Sequence, residues 1–559
     1  VKQFLTSIQG DKRLEPVSFN DFSGGWNVVQ DDLNLARKFS DKMFNIYYAV
    51  DGTAAVRYGY RLFADPAAVT STRCGMINVA YFRNALWCFM ANGEIVAVQG
   101  NGLCTLVWSS AIAGSLPSTP AGWGPTAFVS FVQFNGELVA CNGRDKPLLV
   151  NKSGTVGYLS DLATGSNLNT PIAKYVCVCR RYLIMAGDPL FPNRVHISAR
   201  DTSGTFYGDP APNDATFVDV GSSLPNSSSI RGIANFRDRL IVAYPEGTVL
   251  GTLGNYTADG TAHEPDFDDT IELYGAVSHR SIIAFGEDCL FMDRVGVPSI
   301  KRNIYTGSML PQRTSDYIDP DMTIKLSALN NVAVDEQTWA VYNQREGQFM
   351  FFVPNTSDPA TTTETKCYVY NYRPNLSINA WSRFDDWNFT CGVRSAEDNI
   401  FFGDVQGRVW LHGSHVTPIY ADAVDDPKVN MGAGAEIAWE WELPWSDFGR
   451  RLNTKSTRYF NSDTRGTATF TASMYLDRLM YNGDGSPSPA LEMDFVGGDF
   501  EGVGDQEQPF GGGRMTADGR LYMWPAKFLL AKMHFEGSSK LPLRFVSLDF
   551  WYMRGGNAR

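Results

Sequence analysis

YFRNALWCFMANGEIVAVQG, residues 81–100, decides the fold. Apolar and polar residues alternate through strand-length runs, and R-N and N-G mark tight turns between them. A single hairpin is marginal in water, so it needs neighbours of its own kind. The chain supplies six more: FVQFNGELVACNGRDKPLLVN (131–151), VCVCRRYLIMAGDPLFPNRVHISA (176–199), IANFRDRLIVAYPEGTVLGTLG (233–254), IIAFGEDCLFMDRVGVPSIKR (282–302), VYNQREGQFMFFVPN (341–355) with KCYVYNY (366–372), and VRSAEDNIFFGDVQGRVWLHG (393–413). Their aligned apolar anchors are Leu86, Leu138, Leu183, Leu240, Leu290, Phe349 and Ile400, spaced 45 to 59 positions apart. A period of about 40–50 residues with about four short strands is how a β-propeller blade reads. One twisted blade cannot bury both of its faces, whereas a ring of blades buries all of them and leaves only short edges. Unrelated hairpins in a mixed β-protein would not keep so even a spacing. The expectation is an all-β chain with a propeller over residues 71–415. Six or seven blades fit, because the first and last copies can share a blade through a closure strand.

Beyond residue 413 the rhythm stops. A spacer, VTPIYADAVDDPKVNMGAGA (416–435), leads into longer alternating runs, among them EIAWEWELPWSDFG, TATFTASMYLDRL, RLYMWPAKFLLAKMHFEG and PLRFVSLDFWYMRG. In TATFTASMYL the Thr, Ser and Tyr side chains fall on one face, and Ala, Phe, Met and Leu mostly on the other. Residues 416–559 therefore read as an antiparallel β-sandwich, a platform domain separate from the propeller. Its Gly-rich acidic stretch 496–513 reads as a surface loop or a contact loop.

Composition agrees with a chain of many short strands. Of 559 residues, 44% are hydrophobic, 13% aromatic and only 19% charged, with 52 Gly against 28 Pro. The net charge is −12, and no basic run offers the patch that phosphate neutralisation requires. The nine cysteines sit mostly in apolar runs and read as buried free thiols of a protein assembled in a reducing compartment. Cys177 and Cys179 are one residue apart, too close for a zinc knuckle, and no second pair exists. No apolar stretch approaches the ~20 residues of a membrane helix. VKQFLTSIQGDKRLEP lacks the apolar region of a secretory leader.

The opening segment, FSGGWNVVQDDLNLARKFSDKMFNIYYAVDGTAAVRYGYRLF (22–63), follows other rules. Gly24 and Gly25 permit close backbone approach. Leu33, Leu35, Phe39, Met43, Phe44 and Ile46 predict a short helix leading into a strand. Asp51-Gly52 is a strong hairpin turn between FNIYYAV and AAVRYGYRLF. Residues 1–70 thus read as a strap plus hairpin able to add strands to another sheet of the chain.

Three features now stand in a fixed order: F-S-G-G-W-N followed by D-G-T and R-Y-G-Y-R, the run of blades, and W-x-L-P-W-x-D-F-G-R-R with its G-T-A-T-F-T and V-S-L-D-F strands. Together they resemble the nozzle proteins of short-tailed bacteriophages, also called tail tubular protein B, and the related packaged-DNA stabilisation proteins. The resemblance is specific in the first ~60 residues and in 439–475; elsewhere it is one of architecture. Gly24, Gly25, Gly52, Arg57, Gly59 and Tyr60 match the motif, with Asp51 beside them in the turn. Trp26 departs from the smaller apolar residue of the family pattern. The resemblance implies structural roles for these positions, with no catalytic or cofactor set. It also implies a sixfold homo-oligomeric ring in the virion tail, assembled in the host cytoplasm. Such a ring sits below a tail adaptor (tail tubular protein A-like) ring and near tail fibres or spikes. Genomic double-stranded DNA passes through it without sequence-specific binding, held until infection.

A glycosidase needs two carboxylates flanking one bond. Candidates are Asp266, Asp268 and Asp269 in EPDFDD, Asp385 and Asp386 in RFDDWN, and Asp425 and Asp426 in AVDDPK; acidic doublets are more often solvated turns. His412 and His415 have a metal-like spacing but read as surface histidines. Trp381 and Trp387 could stack on a sugar, and read rather as blade core. No nucleophile elbow, zinc-protease or phosphate-loop motif occurs. No catalytic, cofactor or metal residue is assigned. The long polar stretches 202–230 and 254–270, the second carrying Asp266, Asp268 and Asp269, are the candidate channel or gate loops. The rival expectation is a glycan- or receptor-binding tail propeller with polysaccharide hydrolase activity.

Overall fold

The computed structural model describes residues 14–31, 34–109, 123–163, 170–206, 215–221, 224, 229–253, 265–286, 288–302, 309–357, 364–422, 434–448, 453–466, 469–476, 480–481, 487–488, 491–496, 521–522, 527–540 and 543–557. Seven antiparallel four-stranded units follow one another round a closed ring. Their first strands are Met76–Phe82, Ser130–Phe134, Tyr175–Cys179, Gly232–Phe236, Ile283–Phe285, Trp339–Asn343 and Phe389–Arg394. Each touches the first strand of the next unit, and the seventh touches the first. This is a β-propeller of seven blades. Every anchor named above lies in the second strand of its blade and is at most 2% exposed.

Closure uses a strand that the sequence reading assigned to the strap. Blade seven takes three strands from 389–412, and its outermost strand is Tyr60–Ala64, paired antiparallel to Val409–His412. The first and last copies do not share a blade. The strap instead clasps the ring, and the propeller's chain begins near residue 60.

Tight turns between first and second strands carry side chains that reach the following blade. Asn135 Nδ2 donates to the Asp201 carbonyl at 2.8 Å, Arg180 Nη1 to Leu253 at 2.9 Å, and Arg237 Nε to Gly286 at 3.1 Å. Arg83 bonds the Lys152 carbonyl and Arg345 that of Glu397. Asn135, Arg180 and Arg237 hold left-handed backbone at the turn, with φ of 51°, 48° and 49°. The turn residues thus serve as latches between blades.

The sandwich is built from both ends of the chain. One sheet pairs Leu14–Phe19 and Asn453–Gly466 on either side of Leu543–Asn557, with the hairpin Ile46–Tyr48/Ala54–Val56 added to it. The other joins Ile437–Glu442, Ala531–Ser539, Thr469–Leu476 and Leu491–Val496. Trp439, Trp441, Phe470 and Phe535 of this second sheet pack on Phe545 of the first, at ring separations of 5.0 to 6.1 Å. Phe470, Ala472, Met474 and Leu476 are all buried, as the alternation in TATFTASMYL predicts.

Lys42–Phe44 joins the two bodies. It pairs parallel to the last strand of blade six at Arg383 and antiparallel to Ile437–Glu442, making one eleven-stranded sheet. The helix expected from Leu33 to Ile46 does not form among the described residues; Phe39–Ser40, Lys42–Phe44 and Ile46–Tyr48 are short strands. Met43 and Ile46 are fully buried and Phe44 packs against Trp26, so tertiary pairing overrides the local helical spacing. The helices Asp319–Ser327 and Asn331–Gln337 lie between blades five and six, in a stretch to which the sequence reading assigned no element.

Candidate functional site

Arg57 follows the hairpin and runs into the heart of the molecule, where it is 1% exposed. Its Nη1 and Nη2 donate to the two Asp422 oxygens at 2.7 and 2.6 Å. Nε donates to Asn45 Oδ1 at 2.8 Å, and the guanidinium lies 4.9 Å from the Trp387 ring. Asn45 Oδ1 also accepts from the Asp385 amide, and Asn45 Nδ2 donates to the Ala438 carbonyl at 2.7 Å. One polar knot therefore ties strap, blade six, the spacer after blade seven and the sandwich. Every Arg57 donor has an acceptor, the condition under which a buried guanidinium is tolerated.

The neighbouring motif residues explain themselves by packing. A Cβ on Gly59 would lie 2.0 Å from the Ala421 carbonyl oxygen, so only glycine fits. The Gly59 carbonyl meets His412 Nδ1 at 3.1 Å. His412 is buried, not a surface residue as expected, and burial, then the Arg57 charge, push it down to about 3. His415 instead pairs with Glu346 at 2.7 Å, so the two histidines serve different partners. Tyr60 sets its ring edge-on to Phe389 and Trp410 in the closing strand. Gly25, at φ 72°, pairs with Trp381 of blade six, and Gly24 donates to the Lys38 carbonyl at 3.0 Å. Trp26 is buried between Tyr368 and Arg383, and its Nε1 donates to the Asp41 carbonyl at 2.9 Å. Asp51 caps its own turn through Thr53 and reaches Arg544 at 3.2 Å, while Gly52 sits against Leu376.

The candidate gate residues need correction. Asp266, Asp268 and Asp269 lie in Asp266–Glu272, the outermost strand of blade four, not in a loop. Asp269 is ion-paired with Arg239 of the same blade. Residues 254–264 and, in the other candidate stretch, 207–214, 222–223 and 225–228 fall outside the described residues. So do Asp425, Asp426 and the stretch 497–513.

Where blade six and the sandwich sheet diverge, a cleft of about 550 Å³ opens over Phe44 and Asn45. Glu364, Lys366, Asp385, Asp386, Glu440 and Glu536 line it. Asp385 is engaged by Arg383 at 2.9 and 3.0 Å and by Lys366 at 3.3 Å. Burial, then the neighbouring Asp385, raise Asp386 above the usual carboxylate range. Behind it, Glu440, Glu442 and His534 form the one cluster of metal-type ligands among the described residues, their ligand atoms within 4.8 Å of one another. Lys42 lies 2.8 Å from Glu440 and 3.4 Å from Glu442, and Lys532 pairs with Glu442. The hydrogen bond from His534, then that from Lys42, hold Glu440 down at about 2. Two ammonium groups already balance the two carboxylates, so the cluster fastens the strap strand to the sandwich.

The propeller axis holds residues that sequence reading missed. The helix Asn331–Gln337 is capped by Asn330, whose Oδ1 accepts the Ala333 amide at 2.8 Å, and it lies across one end of the channel. Its Asp335, 3% exposed, accepts Lys174 at 2.6 Å, Arg231 at 3.1 Å and the Tyr175 hydroxyl at 3.1 Å. Ser278 donates to the Asp335 carbonyl at 2.7 Å, and Lys174 also reaches Glu336 at 3.1 Å. Blades three, four and five are thus pinned to one plug. Asn330 as an N-cap, followed by a stretch without period-two alternation, was the available signal. All nine cysteines are free thiols; Cys74 and Cys104 are half-buried and the rest buried. Among the described residues no helix is long and apolar enough to cross a membrane.

No family model matches the chain, and no curated protein matches it. Solved structures similar to it include the WD40 β-propeller domain of Doa1, at 9% identity over 64% of this chain and 98% of that one, with a TM-score of 0.36. BamB of Moraxella catarrhalis is similar at 10% identity over 60% of this chain and 85% of that one, TM-score 0.32. PorZ, a surface component of the type-IX secretion system of Porphyromonas gingivalis, is similar at 11% identity and TM-score 0.33; the match covers 60% of this chain and spans 36% of PorZ. The likeness is in propeller architecture.

Proposed function

We propose that this chain is a structural virion protein, the nozzle subunit of a short bacteriophage tail. In this reading six copies form a ring that continues the DNA channel below the adaptor, retains the packaged genome and opens for ejection. The observation that carries the reading is the strap. Residues 14–64 supply strands to the sandwich, to the sheet joining it to blade six, and to blade seven, locked by the buried Arg57–Asp422 pair. That construction suits a rigid part working by shape and assembly. The motif residues that carry the family resemblance are the ones gathered at this junction. A net charge of −12 suits a conduit that must let a polyanion slide.

The test is electron microscopy of the purified full chain and of virions carrying it. A sixfold ring with a central opening, stacked under a second ring, supports the reading. A monomer or trimer that cleaves polysaccharide overturns it in favour of a glycan-processing propeller.

A further inference from the structure

Arg280, half-buried as a residue, stands apart from the chain's other inward-facing cations. It precedes the first strand of blade five and reaches the propeller axis. Nη1 donates to the Ile77 carbonyl at 2.7 Å, and Nη2 to the Glu336 carbonyl. Both acceptors are neutral. Nε is buried and has no partner. The carboxylates nearest in the fold are already taken, Asp335 by Lys174, Arg231 and Tyr175, and Glu336 by Lys174. The axial cluster therefore holds three cations, Lys174, Arg231 and Arg280, against two carboxylates, Asp335 and Glu336. One positive charge is left over at this partly screened cluster, and the Arg280 Nε itself is shielded from solvent, where an unpaired donor is costly. Burial pulls Arg280 below its ordinary range, and the charges of Asp335 and Glu336 offset that only in part.

The space for a counter-ion is present. Arg280 forms part of the wall of two cavities on the axis. The outer, about 240 Å³, is mostly apolar and lies against Val332 and Ala333 of the plug helix. The inner, about 210 Å³, is lined by Asn78, Ser130, His279, Trp339 and Cys391. Its wall carries two more groups suited to an anion. The Trp339 indole N–H has no acceptor, although Trp339 is only 2% exposed. His279 Nδ1 accepts the Ile233 amide at 3.3 Å, which leaves the ring proton on Nε2. Buried donors in native proteins are almost always paired, so unpaired ones around a cavity point to a missing acceptor.

We propose that the inner axial cavity binds a small monovalent anion, a halide or a short carboxylate, on the Arg280 guanidinium, with the Trp339 and His279 N–H groups as further donors. The ion completes the charge balance of the plug and couples blade five to blades one and six. The site lies within one chain and does not depend on ring assembly or on the nozzle reading.

The test uses crystals of the full chain grown without halide and soaked in sodium bromide. The expected result is an anomalous bromide peak in contact with Arg280 Nε inside the inner cavity. A parallel soak containing bromide and excess acetate separates the two sources: loss of the peak assigns a carboxylate, and its persistence assigns a halide. Water alone at Arg280, or bromide confined to the surface or the apolar outer cavity, overturns the proposal. In solution, bromide at constant ionic strength raises the melting temperature saturably in the wild type, and Arg280→Met loses that shift. An equal shift in Arg280→Met also overturns it. The crystallographic arm stands on the wild type, whether or not the variant folds.

Discussion

Arg57 and Asp422 meet through two parallel hydrogen bonds of 2.7 and 2.6 Å, and the side chains of both are less than a tenth exposed. The pair joins the strap to the spacer that follows blade seven. Removing one partner leaves a buried charge without compensation, which typically costs about 3–5 kcal/mol. Asp422→Asn and Arg57→Met should each lower unfolding stability by that order in urea titrations. The double variant Arg57→Met/Asp422→Leu should recover a large part of the loss. Additive losses in the double-mutant cycle would show that the pair is not coupled.

Gly59→Ala should be among the most damaging small substitutions in the chain. The added methyl would have to occupy a point 2.0 Å from the Ala421 oxygen, and the backbone on both sides is held by Ile419 and Gly413. We expect a melting temperature lower by several degrees and a closing strand whose amides exchange faster. An unchanged melting temperature would mean that the spacer yields without resistance.

The inter-blade latches should act one by one. Arg180→Ala and Arg237→Ala each remove a hydrogen bond from a partly exposed arginine to a carbonyl of the next blade, worth about 1 kcal/mol. The latches join different pairs of blades, so combined losses should add. Denaturation midpoints of the single and double variants check this.

Two histidines, the buried His412 and the half-buried His279, set a pH window. Burial, partly opposed by Asp335, pushes His279 down to about 4; burial and then Arg57 push His412 down to about 3. An unfolded histidine titrates near 6.5. Between 6.5 and these values the unfolded chain binds more protons than the folded one, so stability falls as the solution is acidified. The contribution is fully present above about 6.5 and is lost progressively down to about 3–4. Unfolding free energies measured from pH 7 to pH 4 should decline less steeply in His412→Gln than in the wild type.

Much of the ring was legible because its signal is local. Each anchor, from Leu86 to Ile400, lies in a second strand that follows a turn marked in the sequence with Gly, Asn, Arg or Asp. The D-G hairpin was legible for the same reason: Asp51 caps its own turn. The plug was hidden in an irregularity. The longest anchor spacing, Leu290 to Phe349, contains the two helices, and a near-constant period was read across it. The strap strand Lys42–Phe44 was hidden because its partners, Arg383 and Glu440, lie hundreds of residues away. No local pattern announces such pairing; only the fully buried Met43 and Ile46 show afterwards why a helix could not serve. Arg57 was picked out by motif, while its partner Asp422 lies in an acidic spacer where nothing local sets it apart from Asp425 and Asp426.

The closing strand fixes an order of events in time. Tyr60–Ala64 is synthesised early, yet the edge it pairs with, Val409–His412, follows about 345 residues later. At about 5–20 residues per second, the ribosome leaves that strand without its partner for roughly 20–70 s. Blades one to five can form their own sheets meanwhile, since each is continuous in the chain. Ring closure and sandwich assembly are therefore late steps of biosynthesis, and the nascent chain carries an open strand edge that must be kept from the wrong neighbour until they occur.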